Sequence, residues 1–140
     1  MYLLDTNIIS ELRKPKPHGG VLAWMESVRD ADIYLSAITL GEIQAGIEIT
    51  RERDNQKAEA IERWALQLID TQKILPMTAG VFRIWAKLMH KQSDSLYEDA
   101  MIAATALEHK LLVVTRNLKD FERFPVKLLS PFDFKSIENL

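Results

Sequence analysis

Leu111-Leu112-Val113-Val114-Thr115-Arg116-Asn117 is the stretch on which the fold turns. Four apolar residues follow one another without alternation and then give way to three polar ones. A strand buried on both faces, as in a parallel sheet, reads this way. Working outward, Leu96 to His109 has the spacing of a helix leading into that strand, and the polar break Gln92-Ser93-Asp94-Ser95 sets it off from what precedes. Earlier, Val81, Ile84, Trp85, Leu88 and Met89 mark an amphipathic helix, and Ile61, Trp64, Ala65, Leu68 and Ile69 mark another. Ile38, Ile43 and Ile47 give a third stripe, from about Ile38 to Thr50. Short β-type runs lie at Tyr2–Leu4, Ile33–Leu35, Ile74–Leu75 and Val126–Leu129. Near the start, a short helix spans about Asn7 to Leu12. The Pro- and Gly-containing segment Arg13 to Gly20 reads as a loop, and a helix begins at Val21. The mixed-charge segment Arg51 to Arg63 reads as a solvated helix face or a helix–helix turn. Strands alternating with helices imply an α/β fold with a mostly parallel sheet. No repeat or linker divides the chain, so one domain over 1–140 is expected.

Composition narrows the function. The chain is 47% hydrophobic and 27% charged, the profile of an ordinary globular protein. A net charge of -2 and a pI of about 5.9 are not the footprint of a tight, non-specific nucleic-acid binder. They leave room for an enzyme that touches nucleic acid transiently. The absence of cysteine excludes disulfides, zinc–thiolate sites and cysteine nucleophiles. His18, His90 and His109 have no i,i+4 pairing and read as surface imidazoles. The first strand starts at Met1, so no signal segment is read. No apolar run approaches the roughly 20 residues a membrane span needs, and a cytoplasmic protein is expected.

Three carboxylates stand out by position. Asp5 ends the first strand, Glu42 lies early in the helix after the second, and Asp99 lies early in the helix that leads into Leu111–Val114. Parallel topology puts strand C-termini and the following helix N-termini on one sheet edge, where α/β folds bind ligands. Asp5, Glu42, Asp99, Thr115 and Asn117 are therefore expected together. Oxygen-only donors suit Mg²⁺ or Mn²⁺. Such ions lower the pKa of a bound water and stabilise the leaving oxygen of a phosphodiester. Without a cation, clustered acids raise one another's pKa. Each acid also has a structural reading: Asp5 as a helix cap, Thr39-x-x-Glu42 as a capping box, Asp99 as a first-turn acid facing the helix dipole. Ser95-x-x-Glu98 is a further capping box that occupies Glu98. Asp99 shares a helix face with Ala103 and Ala106, whose small side chains allow close approach to the sheet, and is preferred for the site.

Four segments together carry a resemblance: Asp5-Thr6-Asn7-Ile8-Ile9-Ser10-Glu11-Leu12, Leu35-Ser36-Ala37-Ile38-Thr39-Leu40-Gly41-Glu42-Ile43, Asp99-Ala100-Met101-Ile102-Ala103-Ala104-Thr105-Ala106, and Val114-Thr115-Arg116-Asn117. In this order and spacing they resemble the PIN-domain ribonucleases, most closely the VapC/FitB-type toxins of type II toxin–antitoxin systems. The resemblance implies a three-layer α/β/α domain. It also implies a Mg²⁺- or Mn²⁺-dependent endoribonuclease, a cognate VapB/FitA-like antitoxin and a homodimer. The matching acids are Asp5, Glu42 and Asp99. Where the family often has a fourth acid this chain has Asn117, whose amide oxygen could ligate the ion without adding charge. Asp120, one helical turn on, could supply the missing charge. Thr115 would orient the ligands by hydrogen bonding. Arg116, Lys14 and Lys16 are candidate contacts for RNA phosphates. Ile61, Trp64 and Leu68 beside Ile43 and Ile47 read either as core packing or as a groove for an antitoxin helix. The rival reading is a catalytically inactive PIN scaffold acting through protein binding. A receiver-type phosphoacceptor domain also places acids at strand ends. It would need adjacent acids after the first strand, an Asp ending a middle strand and a Lys on a late one; Leu75 and the Leu111–Thr115 strand supply neither.

Overall fold

A computed structural model describes residues 1–135. The expected unit of residues 1–140 runs on into 136–140, which lie outside the described residues. The strands are β1 (Tyr2–Leu4), β2 (Ile33–Ser36), β3 (Lys73–Leu75), β4 (Leu112–Val114) and β5 (Leu128–Leu129). The α-helices are α1 (Thr6–Arg13), α2 (Gly19–Ser27), α3 (Ala37–Arg51), α4 (Asn55–Thr71), α5 (Ala79–Met89), α6 (Tyr97–His109) and α7 (Leu118–Phe121). The sheet order is β3-β2-β1-β4-β5, and every pairing is parallel.

Neighbouring strand residues point to opposite sheet faces, and two cores follow. Leu4, Leu35 and Val114 join Ile8, Val21, Trp24, Ile43 and Ile47 beneath α1 to α4. Leu3 and Val113 join Ala100, Ala103, Ala106 and Phe121 beneath α6 and α7. The result is the expected three-layer arrangement. The chain lays β2 and β3 to one side of β1, then places β4 and β5 on the other. Strand order therefore reverses beside β1, and the crevice beyond the carboxyl ends of β1 and β4 is where such folds bind ligands. Asp5 directly follows β1, and Thr115 directly follows β4.

Several local expectations change. α2 begins at Gly19, inside the segment read as a loop. Gly20 permits this: a Cβ there would stand 2.7 Å from the Pro131 carbonyl oxygen and 2.8 Å from that of Phe132. His18 caps the helix, its Nδ1 accepting from the Gly20 N–H at 3.0 Å. Thr39 is not a helix cap. Ser36 caps α3, its Oγ accepting from the Ile38 N–H at 3.2 Å. Ser95 does not cap α6 either, because a 3₁₀ turn (Asp94–Leu96) intervenes and Leu96 takes the cap position. The mixed-charge segment resolves into a turn and then α4, capped by Asp54. Leu111 lies just before β4 and is buried at the end of α6, where its N–H reaches back to the Ala106 carbonyl at 2.8 Å. Val126 and Lys127 precede β5 and are not part of it. Among the described residues no helix is long and apolar enough to cross a membrane.

Candidate active site

Asp5 serves two purposes at once. Its Oδ1 accepts the Thr6 N–H at 2.8 Å and so caps α1. Its Oδ2 accepts the Thr115 hydroxyl at 2.8 Å, a fully buried bond between residues 110 apart in sequence. Thr115 also accepts from Asn7 Nδ2 at 3.3 Å and from the Asn117 N–H at 3.1 Å. Asn7 Oδ1 accepts the Arg116 N–H at 3.2 Å. The ends of β1 and β4 are thereby laced together by side chains beyond the last ladder bond.

Glu42 is held by α1. The Thr6 hydroxyl donates to its Oε1 at 3.0 Å and lies 3.0 Å from the Thr39 hydroxyl. Asp99 comes from the opposite layer, on the α6 face whose Ala103 and Ala106 are buried. Asp5, Glu42 and Asp99 line one cleft of about 420 Å³, with Asn117, Arg116 and Lys14 also on its wall. Thr115 stands behind Asp5 rather than in the lining. The Asn117 side chain makes no cap on α7, so its amide is left for the cleft. Asp120 is exposed on α7 in a depression that adjoins the cleft through Arg116 and Asn117, and its charge acts on Asp5 and Asp99. Lys16 is exposed on the loop after α1 and is not part of the cleft wall.

Four further residues line the cleft that sequence reasoning did not single out: Thr6, Asn7, Ser10 and Glu11. The signal was present, since Asn7, Glu11 and Lys14 follow i, i+4, i+7 spacing and share a helix face. Glu11 is buried. Its Oε2 lies 2.6 Å from the Lys14 ammonium, and its Oε1 accepts the His18 N–H at 3.1 Å. The Lys14 bond, more than any other influence, holds the Glu11 carboxyl below its usual range.

The other acids are displaced the opposite way. Burial pushes Asp5 up, against the opposing hydrogen bonds from Thr115 and Thr6. Burial also pushes Glu42 up, with the charges of Asp5 and Glu98 adding to it. Asp99 is raised to about 7, first by burial and then by Asp5, Asp120, Glu42 and Glu98. Among the described residues no three carboxylate or imidazole side chains stand close enough to hold an ion as placed. The donor chemistry nonetheless fits a hard divalent cation. Three carboxylates face one cleft, all destabilised in their charged form, and a cation is what would relieve them.

A side pocket of about 210 Å³ opens off the cleft between α1, α3 and α4. Ile43, Ile47, Ile61 and Trp64 line it, and all four, with Leu68, also belong to or pack against the core, as the packing reading expects. Trp24 is a core residue, 2% exposed. Trp85 packs edge-on against Phe82 and tilted against Tyr97.

Comparison with known proteins agrees with this fold. The sequence matches the PIN domain family over residues 2–127. The chain belongs to the PIN domain family. Toxin FitB of Neisseria gonorrhoeae is 36% identical to this PIN domain over 138 residues, covering 94% of this chain and 99% of that one. VapC ribonuclease Y4jK of Sinorhizobium fredii is 33% identical over 139 residues, covering 95% and 99% respectively. Among solved structures, that of FitAcB from Neisseria gonorrhoeae superposes with a TM-score of 0.80. It is 32% identical and covers 96% of this chain and all of that one.

Proposed function

We propose that this PIN domain, residues 1–140 acting as one unit, is a Mg²⁺- or Mn²⁺-dependent endoribonuclease. It is the toxin of a toxin–antitoxin pair and works in the cytoplasm. The observation that carries the reading is the convergence of Asp5, Glu42 and Asp99, from three separate elements, on one cleft at the strand-order reversal. The FitB and VapC relatives, and the likeness to FitAcB, support the toxin and ribonuclease assignment.

Asp5, Glu42 and Asp99 would hold the ion, with the Asn117 amide oxygen beside them. Asp120 adds negative field from outside the cleft. When bound, the cation supplies Lewis-acid activation of water and neutralises charge on the phosphodiester. The chain's own residues do the positioning. Thr115 fixes the rotamer of Asp5, and Thr6 fixes that of Glu42. Asn7 braces both Thr115 and the Arg116 backbone. The Arg116 guanidinium rests 4.7 Å from the centre of the Phe132 ring, at the rim, where it and Lys14 can meet phosphate oxygens. The partners are an RNA substrate, a VapB/FitA-like antitoxin and a second copy of the chain. The exposed Phe82 and Tyr97 around Trp85 give apolar surface for such contacts.

The test is cleavage of RNA by purified protein with and without Mg²⁺ or Mn²⁺, beside Asp5→Asn. Wild type should cut only with the ion, and the variant should be inactive. Equal cutting by both would sink the assignment, and so would wild type that fails to bind either ion in calorimetry.

A further inference from the structure

We propose that the side pocket between α1, α3 and α4 receives a nucleobase of the RNA, adjoining the phosphodiester held in the acidic cleft. The inference rests on the RNA-cleaving reading above and assigns part of its substrate.

Position is the first argument. The pocket shares Thr6, Ser10 and Glu42 with the cleft. A strand whose phosphate lies against the acids therefore has a neighbouring base within reach of the opening. Size is the second. About 210 Å³ suits one flat ring system, whereas a helical segment about 10 Å across would not enter.

Chemistry is the third. The half-buried Trp64 lines the pocket with the apolar Ile43 and Ile47. The Arg13 guanidinium sits over its ring, 5.8 Å from the centre. Aromatic rings and guanidinium planes together are what proteins use to hold unpaired bases. Arg13 brings donors only. It therefore favours a base edge that presents two acceptors, as the O6/N7 edge of guanine does.

Gly46 is the fourth argument. It lies inside α3, where glycine is among the least favourable residues. Among the described residues nothing lies within 4 Å of a Cβ built on it, so packing within the chain does not require a glycine there. Gly41 in the same helix is equally open, but only Gly46 forms pocket wall. A bare backbone at that point lets a planar group lie against the helix.

The experiment compares wild type, Gly46→Ala, Gly46→Leu and Trp64→Leu with Mn²⁺. The substrates are an oligoribonucleotide randomised around the cut and the same oligonucleotide with an abasic ribose next to it. Because residue 46 lies one turn from Glu42, Mn²⁺ binding is measured by calorimetry for each protein. Gly46→Leu should bind Mn²⁺ as wild type does and cut intact RNA about 10-fold or more slowly, the scale of one lost stacking contact. It should also lose the preference for guanine beside the cut. Trp64→Leu should behave similarly, and Gly46→Ala should fall between. On the abasic substrate, wild type and Gly46→Leu should be equally slow. Equal rates and equal base preference on intact RNA would overturn the proposal. It also falls if Gly46→Leu cuts normally but escapes inhibition by the antitoxin, for then a protein side chain fills the pocket. Failure of the parent reading shows separately, as wild type that cuts neither substrate.

Discussion

Replacing Asp99 by Asn should stabilise the metal-free protein while weakening its grip on a divalent ion. Asp99 is raised from an ordinary 3.8 to about 7 by burial and by four neighbouring acids. A carboxyl whose folded-state pKa lies above its unfolded value favours folding when protonated. Its contribution is fully present below the unfolded pKa of 3.8 and is lost as pH rises through about 7. Sealed from water, a displacement of that size would cost the ionised state about 4 kcal/mol. The side chain opens onto the cleft, and solvent screening brings this to about 1–2 kcal/mol. Asp99→Asn removes the charge and keeps the shape, so at pH 8 without metal its Tm should rise by about 4–8 °C. At pH 5 the gain should be smaller, since wild type is then partly relieved by protonation. Saturating Mg²⁺ should narrow or reverse the difference, because wild type gains more from the ion than the variant does. Differential scanning fluorimetry across pH 5 to 8, with and without Mg²⁺, reads all of this. A variant no more stable than wild type at pH 8, or one with the same gain at both pH values, would refute the electrostatic account of the cleft.

Other outcomes follow from single contacts. Thr115→Val removes the buried hydroxyl that donates to Asp5. It should destabilise the fold by about 1–3 kcal/mol in urea titrations and weaken Mn²⁺ binding by about 10- to 100-fold in calorimetry. Gly20→Ala drives a methyl against two backbone carbonyls of the 3₁₀ turn at Pro131–Asp133; a loss of about 1–3 kcal/mol is expected from denaturant unfolding. Lys110 ends α6 in the left-handed region at φ 57°. Lys110→Gly should therefore raise stability by about 1 kcal/mol with unchanged RNA cleavage.

The candidate site was legible to different depths. Asp5, Glu42 and Asp99 were readable because each sits beside a strand end or a helix start, and a parallel sheet gathers those points on one edge. Asn117 and Arg116 followed from the same logic at the end of β4. The capping boxes were misread because the rule sees only a spacing. Thr39 and Ser95 have the right partners three residues on, yet Ser36 and a 3₁₀ turn take the terminal positions. Glu42 was thereby released from capping to meet Thr6. Asp120, one turn on from Asn117, is exposed beside the cleft, and its charge reaches Asp5 and Asp99.

Local sequence determined the elements, because a strand or helix is chosen by periodicity and punctuation within a few residues. It also supplied the candidate donor set, three acids and an amide without cysteine or paired histidine, from which the class of ion is proposed. Tertiary structure alone decided which groups became partners. Placing β4 beside β1 brings Thr115 onto Asp5 across 110 residues of chain. Packing α3 against α1 brings Glu42 onto the Thr6 hydroxyl. The upward displacement of the acids belongs to this level too. Burial and like-charge crowding exist only once the layers have closed, and no spacing within one element encodes them.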